Sequence, residues 1–349
     1  MIHGGDIYRN RVRLDYSVNV NPLGIPDKTK RALQDAIERC VQYPDIHSQE
    51  LTHAISGMCR VKEDYILCGS GASELFLALM HAVKPAVTAI PVPSFGGYEY
   101  AANAAESRIL RLPMKQEEGF CFRRENLNGK LCGVELLFLA NPNNPVGNVL
   151  ERYELEELLE ECLNKNIVVV IDECFLEFTG REETCSMKGV LERYPNLVIV
   201  RAFTKMFAIP GVRLGYLFCA DSELRSKIAG KLPEWNLSIL AQEAGKAACQ
   251  EKGYREETVE LVERERIYLT DNLRKLGITV FPSETNFLLL HTQYPLYPVL
   301  LEQGILIRDC SSFAGLEQGY YRIAVRQRQQ NEVLIQVLQQ ILLSAERRN

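Results

Sequence analysis

The chain has 349 residues, 46% hydrophobic and 24% charged, an ordinary globular composition and enough length for two domains. Its 40 Lys and Arg against 45 Asp and Glu give a formal charge of −5, which advertises neither a nucleic-acid surface nor an anionic-membrane surface. Eleven scattered cysteines, odd in number and without CxxC spacing, argue for free thiols in a reducing cytoplasm and against a disulfide framework or a zinc site.

The N-terminus, Met1-Ile2-His3-Gly4-Gly5-Asp6, has no apolar h-region, and no apolar stretch reaches 18 residues, so neither a signal peptide nor a membrane span is expected. Residues 1–26 read as a polar, turn-rich arm. Asp27 is placed to cap a helix from Lys28 to Val41, with Ala32, Leu33, Ala36 and Ile37 on one face. Tyr43-Pro44-Asp45 stops it, and a second helix runs from Ser48 to Cys59.

Strand and helix signals then alternate. Tyr65–Cys68 reads as a strand, Gly69–Ser73 as a tight loop and Glu74–Val83 as a helix. Ala86–Ile90, Val134–Ala140 and Ile167–Ile171 are further strands. Phe95–Ala105 and Arg152–Asn166 are the helices between them. Unbroken apolar strands are buried on both faces, so the pattern predicts an α/β domain with a mainly parallel sheet, over 45–235. Residues 114–130 read as a polar surface excursion. After Trp235 two helices (238–250 and 254–276) and short strands at Ile278–Val280, Asn286–His291, Ile305–Ile307 and Tyr320–Val325 predict a smaller α+β domain over 236–349. Gln330–Glu346 closes it, and residues 1–44 form an arm joined to it.

The candidate chemistry sits at strand-to-helix junctions. Leu197–Val200 feeds a loop whose one lysine, Lys205, lies among apolar residues before the strand Leu214–Cys219. A desolvated lysine favours its neutral, nucleophilic amine. Lys205 therefore reads as a Schiff-base lysine for pyridoxal phosphate and Arg213 as a phosphate clamp, against the plainer alternative of a solvated loop. Gly69-Ser70-Gly71-Ala72-Ser73 suits a phosphate at a helix N-terminus, or is a plain tight turn. Asn141-Pro142-Asn143-Asn144-Pro145-Val146-Gly147 is either a turn or a backbone stiff enough to aim Asn144. Asp172 ends a strand, where it could keep a pyridine nitrogen protonated or merely cap a loop. Phe95 could stack on a cofactor ring or lie in the core.

In this order the pieces resemble fold-type I pyridoxal-phosphate enzymes over nearly the whole chain, most closely histidinol-phosphate aminotransferases and L-threonine-O-3-phosphate decarboxylases. His3-Gly4-Gly5, the segment Ser17–Gly24, Tyr43-Pro44-Asp45, Asp172-Glu173-Cys174-Phe175, Thr204–Gly211, Ile305–Cys310 and Tyr320–Arg326 are more similar to the decarboxylase. Phe175 stands where the aminotransferases usually carry a tyrosine. The resemblance implies Lys205 as the Schiff-base lysine, Asp172 as pyridinium partner, Asn144 as phenolate partner and Phe95 as stacking ring. It implies Ala72, Ser73, Thr204 and Arg213 around the cofactor phosphate, with Tyr43 reaching the phosphate of a neighbouring subunit, hence a homodimer. Arg322 is the implied clamp for the substrate carboxylate, and Arg308, His3 and Asn19 the implied pocket for the substrate's own phosphate. Solvated arginines in surface ion pairs are the bland alternative for Arg308 and Arg322. One departure is Ala202, three residues before the lysine, where both families usually have serine. The implied activity is decarboxylation of L-threonine O-3-phosphate in cobalamin biosynthesis, with amino transfer to 2-oxoglutarate as alternative and a catalytically silent binding protein as a third reading.

Overall fold

The computed structural model of the chain describes residues 4–127 and 129–346. The N-terminal arm contains a short strand, β1 (Leu14–Asp15), before helix α1 (Asp27–Ala36). Asp27 is the first residue of α1 and not its side-chain cap, and the helix tightens to a 3-10 turn over Ile37–Val41. Helix α2 (Gln49–Cys59) follows.

The expected alternation then appears as β2 (Ile66–Gly69), α3 (Ala72–Val83), β3 (Val87–Val92) and α4 (Gly96–Ala104). Helix α3 starts two residues earlier than its apolar pattern suggests, which puts Ala72 and Ser73 in its first turn. Strand β4 (Arg108–Pro113) escapes the sequence pattern because it is an edge strand with a mostly exposed face. Next come β5 (Leu136–Ala140), α5 (Arg152–Asn164) and β6 (Val168–Asp172). Glu151 and Glu154 cap the start of α5 reciprocally. A short α6 (Glu182–Cys185) leads to β7 (Leu197–Ala202), α7 (Phe203–Met206), β8 (Gly215–Cys219) and α8 (Ser222–Ala229).

These strands form one seven-stranded sheet in the order β2-β8-β7-β6-β5-β3-β4. Strand β8 is antiparallel to both neighbours and the other pairings are parallel. Alternate residues enter two cores, one on each face: Val169, Ile171, Leu197 and Ile199 in one, Val170, Val198 and Val200 in the other. Burial on both faces explains why these strands read as unbroken apolar runs.

The rest of the chain is α9 (Ile239–Cys249), α10 (Tyr254–Lys275), β9 (Thr279–Val280), β10 (Phe287–His291), α11 (Leu296–Glu302), β11 (Ile305–Leu306), β12 (Arg308–Asp309), β13 (Tyr320–Ala324) and α12 (Arg328–Glu346). An antiparallel sheet in the order β12-β13-β10-β9 packs its apolar face, including Leu288, Leu290 and Ile323, against Leu269, Leu273, Leu334 and Leu338 of α10 and α12. Strand β1 pairs in parallel with β11, so the arm joins this second unit.

The described residues of 114–130 are mostly exposed or half-buried, as expected of a surface segment, but a few side chains anchor it. Met114, Phe120, Phe122 and Leu127 are buried, and the Phe120 ring lies 5.3 Å from that of Phe281. The segment's polar composition conceals aromatic anchors that fasten the large sheet to the small one. All eleven cysteines are free, and among the described residues no cluster could hold a metal ion and no helix is long and apolar enough to cross a membrane.

Candidate active site

Strand direction gathers the site. Strands β2, β3, β5, β6 and β7 run the same way, so the loops after them share one edge of the sheet, where ligands of open α/β sheets bind. Ser70–Ser73, Pro93–Phe95, Asn141–Gly147, Asp172 and Lys205 all lie there. Strand β8 runs oppositely, so its approach through Arg213 begins at the same edge.

A cavity of about 400 Å³ opens at this edge. Its lining includes Ala72, Ser73, Phe95, Asn144, Asp172 and Lys205. Thr204, Arg213, Asn19, Arg308 and Arg322 line it as well. Tyr43, expected at the site of a neighbouring subunit, does not line this chain's own cavity. Tyr43 is 83% exposed on the outer surface, with its ring 5.3 Å from that of Trp235. His3 lies outside the described residues.

One end of the cavity is built for an anion. Helix α3 begins at Gly71 with no side chain capping it, leaving first-turn N–H groups free to bind. Gly71 has φ +78°, and a Cβ there would collide with the Arg213 guanidinium, so glycine is what lets that cation approach the helix start. Gly215 is equally constrained, since its Cβ would stand 2.7 Å from Ala72 N. Ser73 and Thr204 add hydroxyls, but the Ala202 methyl supplies no donor.

The middle is built for a flat ring. Phe95 precedes α4, and Gly97 leaves room for its ring, which a Cβ at that position would strike. Asp172, at the end of β6, accepts from the Tyr98 hydroxyl at 2.6 Å and from the Cys174 amide at 2.9 Å. Burial raises its pKa, while Cys174, Tyr98 and Lys205 oppose the rise. Lys205 lies 5.9 Å from the Phe175 ring centroid. Burial, reinforced by Arg322 and Arg213, pulls its pKa from 10.5 to about 8, so a sizeable fraction is neutral near physiological pH.

The far end is cationic. Arg308 and Arg322 are 7% and 8% exposed. Arg308 donates to Ser312 Oγ at 3.1 Å and lies over the Phe313 ring. Arg322 donates to the Asn144 side-chain oxygen and, at 3.0 Å, to the Ser17 carbonyl, while its Nε is buried without a partner among the described residues. None of these acceptors is a carboxylate, which sets both arginines apart from solvated surface pairs. Burial, and Arg308 beside it, lowers the Arg322 pKa to about 10. Asn19 Oδ1 is also buried and has no partner among the described residues.

Lysine, acid, amide, aromatic face and anion cradle together fit pyridoxal 5′-phosphate, and two buried arginines lie beyond them. Sequence reasoning missed Tyr98, although its spacing from Phe95 places both near one face of α4. It also missed Arg201, 1% exposed, which binds Glu173, Glu182 and Ser186 beneath the lysine loop. Glu173 points away from the cavity because side chains alternate along a strand.

The family model described as aminotransferase class I and II matches residues 12–338. The threonine-phosphate decarboxylase of Salmonella typhimurium is 33% identical over 333 residues, covering 94% of this chain and 91% of that protein. The crystal structure of histidinol-phosphate aminotransferase from Clostridium acetobutylicum matches with a TM-score of 0.89 and 31% identity, over 95% of this chain and 99% of that one. L-threonine-O-3-phosphate decarboxylase from Porphyromonas gingivalis matches with a TM-score of 0.84 and 26% identity, over 94% and 99%.

Proposed function

The chain belongs to the aminotransferase class I and II family, and on that premise we propose that it decarboxylates L-threonine O-3-phosphate to (R)-1-amino-2-propanol O-2-phosphate and CO2, a step of cobalamin biosynthesis. Members of the family bind pyridoxal 5′-phosphate. The observation that carries the substrate is the buried pair Arg308 and Arg322, which have no carboxylate partner among the described residues and border the cavity. A phosphate and a carboxylate on one small molecule would engage both.

Ser73, Thr204, Arg213 and the start of α3 would hold the cofactor phosphate, Phe95 the ring face, Asp172 the ring nitrogen and Asn144 the phenolic oxygen. Bound there, pyridoxal phosphate supplies a carbonyl for the substrate amine and an electron sink for the bond broken at Cα. Lys205, near its lowered pKa, would exchange a proton readily and could return one to Cα. Arg322 and Arg308 hold the substrate at two separated points, which fixes the torsion about its N–Cα bond and therefore which bond at Cα breaks. Phe175 offers no hydroxyl where the aminotransferases usually have one. This leaves Asn144, itself bound to Arg322, as the polar group facing the phenolic oxygen.

Amino transfer from histidinol phosphate to 2-oxoglutarate is the second reading, favoured by the structural similarity to the Clostridium aminotransferase. The two part in one assay. Decarboxylation predicts CO2 from L-threonine O-3-phosphate without a keto acid. Glutamate formed from 2-oxoglutarate and histidinol phosphate, with no CO2 from threonine phosphate, would establish the second reading instead.

A further inference from the structure

Tyr98 has a hydroxyl that packing does not explain. It is 0% exposed, its ring stacked on Phe138 at 4.9 Å and meeting Phe76 and Phe95 edge-on at 5.2 and 5.6 Å. Phenylalanine would fill this aromatic nest equally well, whereas a buried phenol must find a partner. The partner is Asp172 Oδ2, at 2.6 Å, while the Cys174 amide takes Oδ1 at 2.9 Å. With one donor on each oxygen, the carboxylate cannot turn without breaking both bonds.

We propose that Tyr98 is a positioning residue that fixes the Asp172 carboxylate, as an anion and in one orientation, for the ring nitrogen of the cofactor. The proposal rests on the reading of Asp172 as that nitrogen's partner. The same side chain touches Phe95, so one residue braces both the face and the nitrogen edge of the cofactor site. The titratable groups facing Asp172 are Tyr98 from α4, Cys174 from the loop after β6 and Lys205 from α7. Burial holds the Tyr98 phenol and the Cys174 thiol far above their ordinary values, so both stay neutral and Tyr98 remains a donor. Without the phenol, an acid already raised by burial would take up a proton more readily, and a neutral acid holds a pyridinium poorly.

The test uses four full-length proteins: wild type, Y98F, D172N and the double variant. Each is melted without cofactor, and its dissociation constant for pyridoxal phosphate is measured by equilibrium dialysis between pH 6 and 9. The expected result is a cofactor-free Y98F protein that still folds and melts in one cooperative transition, somewhat below the wild type, and about tenfold weaker cofactor binding, of the order of a lost hydrogen bond to a charged group. That loss should grow as the pH falls and should vanish in the D172N background, because the hydroxyl acts through the carboxylate. Equal losses in both backgrounds, no loss, or a Y98F protein that does not fold would overturn the proposal and leave Tyr98 a packing residue. Failure of the wild type itself to bind pyridoxal phosphate is a separate result, which overturns the cofactor reading beneath it.

Discussion

Arg308 and Arg322 stand directly opposite each other across the antiparallel pair β12–β13, so two cations occupy one cross-strand site. Like charges in that position destabilise a sheet until an anion lies between them. Burial lowers the pKa of both, since a charged guanidinium is costly there. The pair is therefore suited to anionic groups. We expect inorganic phosphate to raise the melting temperature of the cofactor-loaded protein, in which the other anion site is filled, and to do so much less in R308A. The same substitution should lower kcat/KM for threonine phosphate by about 10²-fold or more, as expected for losing a charged hydrogen-bond partner. Equal phosphate stabilisation of both proteins would remove Arg308 from the substrate site.

A lysine at about pKa 8 gives a pH signature in the cofactor-free protein. Folded Lys205 binds its proton less tightly than unfolded lysine at 10.5, so the cost of burying the charge is complete below about pH 8 and is relieved as the pH rises toward 10.5. K205M, stripped of cofactor, should melt above the wild type at pH 7, and the gap should narrow between pH 8 and 10.5. A gap that does not change with pH would mean the amine is not desolvated. With cofactor added, K205M should also lack the visible absorbance and borohydride-trapped adduct expected of the wild type.

How far the sequence could be read depended on how local each feature is. Apolar runs such as Val168–Ile171 declare a doubly covered strand by themselves, and the loops at their ends carry Asp172, Asn144 and Lys205. Strand β4 was invisible because an exposed edge needs no apolar run. The buried anchors of 114–130 were masked by polar neighbours. The facing of Arg308 and Arg322 depends on a two-residue strand whose register is set by distant chain, and the Tyr98–Asp172 bond joins residues 74 positions apart. No local pattern encodes either.

Tyr43 tests whether the site is shared between chains. Its ring packs on exposed Trp235, and Ile37, Val41 and Ile46 near it in sequence are exposed too, apolar side chains of the kind a second copy could cover. We expect a dimer by light scattering. V41D should dissociate it, Y43F should weaken cofactor retention, and mixtures of inactive Tyr43 and Lys205 variants should regain activity. A wild-type monomer that is fully active at dilution would end the idea of a composite site.

Ala202 offers the most direct reading of the anion cradle. It is the last residue of β7, 4% exposed, and pairs with Gly215, whose backbone lies against the first amide of α3. Its methyl lines the cavity beside Thr204, close to where the helix start and Arg213 would meet the cofactor phosphate. A serine at 202 would add one donor without adding a side chain large enough to disturb the strand. A hydrogen bond to a charged group is worth about 1.5–3 kcal/mol, so A202S should bind pyridoxal phosphate about tenfold more tightly or better. T204A should weaken binding by a similar factor, because Thr204 is one of the two hydroxyls, with Ser73, that line the cradle beside Ala202. The two effects should not add, since both hydroxyls would serve the same phosphate. Equilibrium dialysis of the two single variants and the double variant measures all three quantities. If A202S binds no more tightly and T204A no more weakly, the phosphate does not lie between β7 and α3, and the orientation of the cofactor drawn from Arg213 and Gly71 is wrong.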